Sequence, residues 1–547
     1  MTDPALVSGL AETSSPGAPP VASLDGQGRV RLMRESLVNY LPLLVSGLVG
    51  IVLVPLMLQG LGADAYGLWI ATLAVGGVVG LMNPGLGWSV TREVAAARGQ
   101  ASEDTVRLVS SVASLTLLLS LAGGTLIAVV GLGLAGALQL SPETRQVAPA
   151  VFGLAGLAFW ANEMLSFTLC ILHGLRRFGT ASGITVSFSL VRAAGIVALL
   201  VSGAGLLAIA GWQALTSVAA VVLTIAIVPR LKPGWHVRLG RIHWRMVRAQ
   251  LPFGIGSQLT TAAAELVWHS QPVLIGLLRG SAAIVPYHIG QKFPAAVLGV
   301  SWRTSEVLFP AASEAPGADD AVHTRDLLLA GLRWNLVLVL PLFAVLWIVA
   351  PILLRAWLPE VPPGTLLVVR LASTAVLAEA VTLGPLYVLW GRGAIRPLLL
   401  VLGSTTLACL VVNAWLVAYS GVVALAAGLA SVLAIRALLL LVIAARRCRI
   451  RSARLFSEAT RGLLLPVAVC AVTAAGLVHF VRLPGWPGVV GTAAAAGLAY
   501  VVVLYFHGAR EEERVLVRQL LFLPAALASF LWVALRRSSR QTDSSRD

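Results

Sequence analysis

Lys292 lies in the stretch SAAIVPYHIGQKFPAAVLGV, residues 281–300, in almost continuously apolar surroundings and one helical turn after His288. An ammonium group in hydrocarbon is costly, so it must face a wet cavity, an anion or a carboxylate. Read as a helix, His288, Lys292, Ala296, Gly299, Arg303 and Glu306 recur at spacings of 4, 4, 3, 4 and 3 and form one stripe. Gln258, Thr261, Glu265 and His269 make a second such stripe, Ser182, Thr185, Ser189 and Arg192 a third, and Glu163, Ser166, Cys170 and His173 a fourth. Cations of this kind can hold phosphate oxygens, and the carboxylates Glu163 and Glu265 can carry a proton or a metal cation. The four polar faces together predict an internal polar cavity between helical lobes. Two readings of Lys292 stay open at this point: an anion-binding group, or the partner of Glu265 in a structural ion pair at similar depth on the preceding helix. Arg370 and Arg436 stand nearer predicted helix ends and are expected to snorkel. Glu379 shares a polar face only with Thr382. His269 and His288 read as structural hydrogen-bonding groups, and glycines such as Gly76 and Gly80 as close-packing positions.

These residues must be carried by membrane-spanning helices. The chain has 547 residues, 58% of them hydrophobic and only 12% charged, and a mean hydropathy of +0.87. A soluble chain of this size carries far more charge, so lipid is the solvent for most of it. Apolar runs of spanning length predict fourteen helices, at 37–59, 68–88, 109–134, 148–173, 180–202, 205–228, 251–278, 283–302, 334–354, 366–389, 397–418, 422–445, 463–481 and 489–507. With the N-terminus inside, cytoplasmic segments hold 32 of the 40 Lys and Arg residues and external segments hold 4. That asymmetry predicts an N-in, C-in topology, and it accounts for the net charge of +16 without nucleic acid. The fold class is therefore an all-α polytopic membrane protein with about fourteen spans. Two strongly basic loops follow the sixth and twelfth predicted helices, and Leu-Pro openings at 41–42 and 251–252 mark the two halves as distant repeats. The predicted organisation is a disordered cytoplasmic tail at 1–30, six-helix lobes at 31–232 and 233–448, a helix pair within 449–508 and a cytoplasmic or interfacial segment at 509–547. Within that last segment, residues 520–535 read as lying on the membrane or re-entrant.

Chemistry on covalent bonds has no visible machinery. Cys170, Cys409, Cys448 and Cys470 are scattered, with no spacing for a disulfide framework or metal site. No Walker A loop is present, and predicted external loops are too short to house a polymerase or ligase site. The run Glu511-Glu512-Glu513 reads as a solvated cytoplasmic face. The expectation is a transporter, not an enzyme, with no cofactor and no metal.

The segment LGADAYGLWIATLAVGGVVGLMNPGLGWSVTREVA resembles the first two helices of bacterial polysaccharide and O-antigen flippases, in the multidrug/oligosaccharidyl-lipid/polysaccharide exporter superfamily. Leu61, Gly62, Tyr66, Gly67, Gly85, Leu86, Gly87, Thr91 and Arg92 fit that family's pattern. LHGLRRFG at 172–179 resembles its turn after the fourth helix, and GSAAIVPYHIGQKF…SEVLFPAASEA resembles a second-lobe motif with Tyr287, Lys292, Pro310 and Glu314 in place. Two departures stand out: Asn83 where the family often has an acid, and Ser270-Gln271 where it often has Asp-Arg. The resemblance implies a flippase that moves an undecaprenyl-diphosphate-linked oligosaccharide from the cytoplasmic to the outer leaflet of a bacterial cytoplasmic membrane. It implies alternating access through a cationic inter-lobe cavity. Arg92, Arg192, His288, Lys292 and Arg303 are the residues expected to bind the diphosphate or glycan, and Glu163, Glu265 and Glu379 those expected to couple to an ion. Expected partners are the polyprenyl-diphosphate-linked glycan, membrane lipid, and the polymerase and glycosyltransferases of the same pathway. A drug or metabolite cation antiporter is the alternative within the superfamily, followed by a membrane glycan polymerase or ligase.

Overall fold

The computed structural model describes residues 26–97, 102–231, 237, 239–240, 242–306, 308–313, 321–481, 484–511 and 513–514. The expected N-terminal tail up to residue 25, Glu314, Glu512 and the expected interfacial segment at 520–535 lie outside the described residues. Among those described the chain is helical throughout, with no strand. In a bilayer this is the simplest way for each segment to satisfy its own backbone hydrogen bonds.

The helices are α1 (Gly26–Gly80), α2 (Leu86–Ala96), α3 (Glu103–Ala137), α4 (Pro142–Gly174), α5 (Phe178–Val201), α6 (Leu206–Leu231), α7 (Trp244–Arg279), α8 (Ile284–Glu306), α9 (Leu308–Ser313), α10 (Ala321–Trp357), α11 (Thr365–Gly391), α12 (Ile395–Ser420), α13 (Val422–Arg447), α14 (Ser452–Thr460), α15 (Leu464–Gly476) and α16 (Gly485–Val503). Their starts follow local chemistry. Ser102 caps α3 by accepting from the Thr105 backbone N–H at 3.2 Å, and Glu103 and Asp104 meet the positive end of the helix dipole. Ser141 caps α4, with Pro142 in the first turn.

Among the described residues, eleven helical segments are long and apolar enough to cross a membrane, against fourteen predicted spans. The first two predicted spans are the two helices within α1, which meet at a kink where Gly62 adopts φ 77° and ψ 171°, and they are counted together as one segment. That left-handed φ is one that an L side chain rarely tolerates. The seventh and eighth predicted spans correspond to α7 and α8, which have spanning length but are less apolar than the other eleven. These are the helices that carry Glu265, His269, His288 and Lys292.

By internal packing the chain divides into two compact units, one of residues 1–292 and 395–429, the other of 293–394 and 430–547. In the first, Val90, Val94, Val112, Ile171, Leu172 and Val247 are fully buried in one apolar cluster joining α2, α3, α4 and α7. In the second, Val349 and Leu353 of α10 pack with Val489 of α16, and the Tyr500 hydroxyl donates to the Val337 carbonyl at 2.8 Å. The last helix pair is thus docked on α10 by both apolar and polar contacts.

Candidate functional site

The Lys292 side chain reaches from α8 to the first half of α1. A Cβ placed on Gly50 would lie 2.8 Å from the Lys292 Nζ and 3.0 Å from its Cε. Glycine at position 50 is therefore what lets the ammonium lie directly against the helix backbone. Lys292 is half-buried, and among the described residues no ion pair joins it to Glu265 or to another carboxylate. The structural Lys292–Glu265 pair is thus absent: the two groups lie on consecutive helices, but Lys292 is directed to Gly50.

One turn before Lys292, the His288 ring meets Tyr66 edge-on, with centroids 6.0 Å apart. Tyr287 beside it is fully buried and its hydroxyl accepts from the Gln291 side-chain amide. On α7, the His269 ring lies directly against Gly77 in the second half of α1, where a Cβ would collide with Nδ1. Glu265, one turn before His269, is half-buried. The glycine face of α1 therefore does more than bring helix backbones together: it makes room for two ionisable side chains.

Arg192 on α5 donates from Nε to the Thr216 hydroxyl at 3.4 Å and from a terminal nitrogen to the Ser217 hydroxyl at 3.1 Å, both on α6. The Trp212 indole donates to the Arg192 carbonyl at 3.2 Å. No carboxylate pairs with this guanidinium among the described residues, so hydroxyl dipoles alone face its charge. Gly60 of α1 meets Leu200 of α5, so the helix that carries Arg192 packs against the helix on which Lys292 lies.

The remaining predicted site residues are dispersed. Arg92, exposed on α2, donates to the Gln250 side chain at 2.9 Å and to Glu93 at 3.3 Å, near the start of α7. Arg303, in the second unit, is exposed and pairs with Glu306 at 3.4 Å. Glu163 accepts from the Asn83 side-chain amide at 2.6 Å, so the asparagine that departs from the family pattern is a direct partner of a membrane carboxylate. The stripe predicted on α4 diverges, with Ser166 exposed and Cys170 against Gly87. His173 stacks on Phe178 at 5.5 Å.

Two expectations are overturned in the second unit. Arg436 does not snorkel: it is fully buried, with a terminal nitrogen 3.9 Å from the equally buried Glu379 carboxylate. Glu513 is not on a solvated face. Its carboxylate pairs with buried Arg333, which also donates to the carbonyls of Arg461 and Gly508, each at 2.8 Å. Arg370 is half-buried, donates from Nε to the Trp347 carbonyl at 3.3 Å and lies over the Trp347 ring.

Two polar clusters went unread in the sequence. The Asp64 carboxylate, just after the α1 break, accepts from the Ser141 backbone N–H at 2.9 Å, from its hydroxyl at 2.7 Å, and from the Ser281 hydroxyl. One carboxylate thus gathers the α1 break, the start of α4 and the turn before α8. The second cluster joins α7 and α12, where the fully buried Asn413 amide donates to Gln271 at 2.8 Å. The signal for both was a polar residue in an apolar setting, but its partner lay 77 to 217 residues away.

The fold is shared with solved structures of membrane transporters. The chain is similar to the lipid II flippase MurJ in an inward closed conformation, with TM-score 0.62 and 12% identity over 89% of this chain and 100% of that one. It is also similar to an inward-facing multidrug-resistance MATE transporter, with TM-score 0.57 and 16% identity over 77% of this chain and 96% of that one. The polysaccharide biosynthesis protein family model matches residues 32–315, more than half of the chain, and the chain belongs to that family. A Shigella flexneri protein named as an O-antigen transporter is 28% identical over 173 residues, which is 31% of this chain and 40% of that protein. This is a multi-pass membrane protein of the polysaccharide biosynthesis protein family.

Proposed function

We propose that the protein flips an undecaprenyl-diphosphate-linked oligosaccharide across a bacterial cytoplasmic membrane, and that Lys292 is the principal contact of the diphosphate. The observation that carries this reading is the ammonium of Lys292 lying on Gly50 with no carboxylate paired to it among the described residues. A membrane-depth cation that the protein leaves without a carboxylate retains its field for an incoming anion. Arg192, which donates to the Thr216 and Ser217 hydroxyls and has no carboxylate partner among the described residues, adds a second positive charge in the same unit. His288 sits one turn from Lys292. The lipid tail stays in the bilayer while the polar head crosses by alternate exposure of the site.

Outward movement of an anionic head against an inside-negative potential is downhill by about 2.3 kcal/mol per charge at 100 mV. Ion coupling is then an addition to the driving force. Among the three candidate carboxylates, Glu265 fits that task best because it has no ion-pair partner among the described residues and is one turn from His269. Glu379 faces Arg436 and Glu163 faces Asn83.

The test is binding and transport of a lipid-linked diphosphate oligosaccharide by Lys292→Ala and Arg192→Ala at normal expression. Both variants lose binding under this proposal, Lys292→Ala the more. Wild-type binding and flipping by both would reject it.

A further inference from the structure

Glu163 opens on a cavity separate from the Lys292 contact. It measures about 180 Å³ and is enclosed by the end of α1, the residues just after it, α3 and α4. A single water needs only ~10–15 Å³ on the same measure, so the space suits a larger group. Its polar groups are Asn83, Glu163, Thr116 and Ser120. The Asn83 amide nitrogen donates to one Glu163 oxygen at 2.6 Å, and the Asn83 carbonyl accepts from the Gly85 N–H at 3.2 Å. The asparagine is thereby fixed at both ends and orients the carboxylate. No hydrogen bond reaches the second carboxylate oxygen from another described residue.

The rim has the opposite character. Met82, Leu119 and Leu126 line the same cavity and are 72%, 42% and 39% exposed. A vestibule meant for water would carry polar side chains at its mouth. Exposed apolar side chains at spanning depth instead face acyl chains, so entry is sideways from the bilayer. No lysine or arginine lines the space, which disfavours an anionic head. An apolar approach ending on an oriented carboxylate, two hydroxyls and an amide suits a positively charged hydrogen-bond donor on a hydrocarbon chain.

We propose that this crevice binds the ammonium head of a membrane-partitioned amphiphile. The same chemistry comes from the amine head of a phosphatidylethanolamine lipid or from a free long-chain amine. The inference stands apart from diphosphate binding, since it uses neither Lys292 nor Arg192.

The experiment uses the full chain in phosphatidylcholine nanodiscs and measures equilibrium binding of radiolabelled n-dodecylammonium, with n-dodecanol as the chain-matched neutral control. Saturable binding of one ammonium per chain is expected, at least tenfold tighter than the alcohol. Glu163→Gln, which keeps the side-chain shape, weakens it at least tenfold. Leu119→Trp, at the exposed rim where folding is unaffected, weakens it by blocking entry. Lys292→Ala leaves it unchanged, which separates this site from the proposed diphosphate site. Nanodiscs containing phosphatidylethanolamine then identify the source: competition with dodecylammonium assigns the lipid, and its absence assigns the free amine. Equal binding of amine and alcohol, or wild-type amine affinity in Glu163→Gln or in Leu119→Trp, overturns the proposal.

Discussion

Replacement of Gly50 by alanine tests whether the seat of Lys292 matters, without touching Lys292 itself. The new Cβ would stand 2.8 Å from Nζ and 3.0 Å from Cε, whereas non-bonded heavy atoms prefer ~3.5–4 Å. The ammonium must therefore withdraw by about 1 Å. Withdrawal costs the fold little, because the atoms displaced are the far end of a flexible side chain, and alanine favours a helix over glycine by about 1 kcal/mol. For a ligand oxygen otherwise held at ~3 Å, retreat to ~4 Å at an effective dielectric constant near 20 reduces the attraction from ~5.5 to ~4.2 kcal/mol. The difference is roughly tenfold in affinity for each charge engaged.

Gly50→Ala is thus expected to keep wild-type thermal stability and to bind a lipid-linked diphosphate oligosaccharide about tenfold more weakly, with Gly50→Val weaker still. The assay is equilibrium binding to purified protein in nanodiscs, followed by flipping in proteoliposomes. In a Lys292→Ala background the same alanine should have no further effect, because there is no ammonium left to displace. Wild-type affinity in Gly50→Ala would refute the reasoning. An equal loss with and without Lys292 would also refute it, since the glycine would then matter only for helix packing.

Three other perturbations follow from the polar contacts. Arg333→Met strands the Glu513 carboxylate in a buried setting and is expected to cost about 3–5 kcal/mol, whereas Arg333→Met combined with Glu513→Leu costs less than either single change; denaturant unfolding of the four proteins gives the cycle, and additive losses would count against a buried pair. Asp64→Ala removes the acceptor of three hydrogen bonds, each charge-assisted contact being worth about 1.5–3 kcal/mol, so amide exchange should rise together in residues 139–144 and 280–284; unchanged protection in either segment would break the assigned link. Glu458 has its carboxyl held below the ordinary value by the hydrogen bond from Arg325, then by that from Arg454. Because the folded-state pKa is the lower one, this contribution is present above the ordinary carboxylate value of 4.5 and is lost as pH falls through the folded value. Glu458→Gln should remove that acid-side component of a stability profile, and an unchanged profile would refute it.

The legible part of this molecule was whatever depends on one helix at a time. Length, hydropathy and the placement of basic residues identify a polytopic chain, and the His288–Lys292 spacing marks the helix that meets α1. Position across helices was not legible. Arg436 read as a snorkelling residue because its distance from a helix end can be counted, while the presence of Glu379 on a neighbouring helix cannot. Glu513 read as solvated because it ends an acidic run, yet its partner Arg333 lies 180 residues earlier. Nothing in the sequence sets Gly50 and Gly77 apart from the other glycines, for the same reason. A glycine records only that space is needed, and the side chain that fills the space belongs to another part of the chain.

The treatment of charge differs between the two units, and that difference bears on where ligands act. In the second unit, Arg333 is closed on Glu513 and on backbone carbonyls, and Arg436 faces Glu379. Such pairs cancel most of their own field, and removing one member mainly leaves a buried charge behind. In the first unit Lys292 lies on a glycine, Arg192 on hydroxyls and Glu163 on an amide. Neutral dipoles can hold a charge in place without cancelling it, so these groups keep most of their field for something that arrives. Substitutions at Arg333 or Arg436 should therefore register first as lost stability, with ligand affinity following only as the fold fails. Substitutions at Lys292 or Glu163 should register first as lost affinity, for an anion in one case and a cation in the other, at unfolding midpoints near the wild-type value.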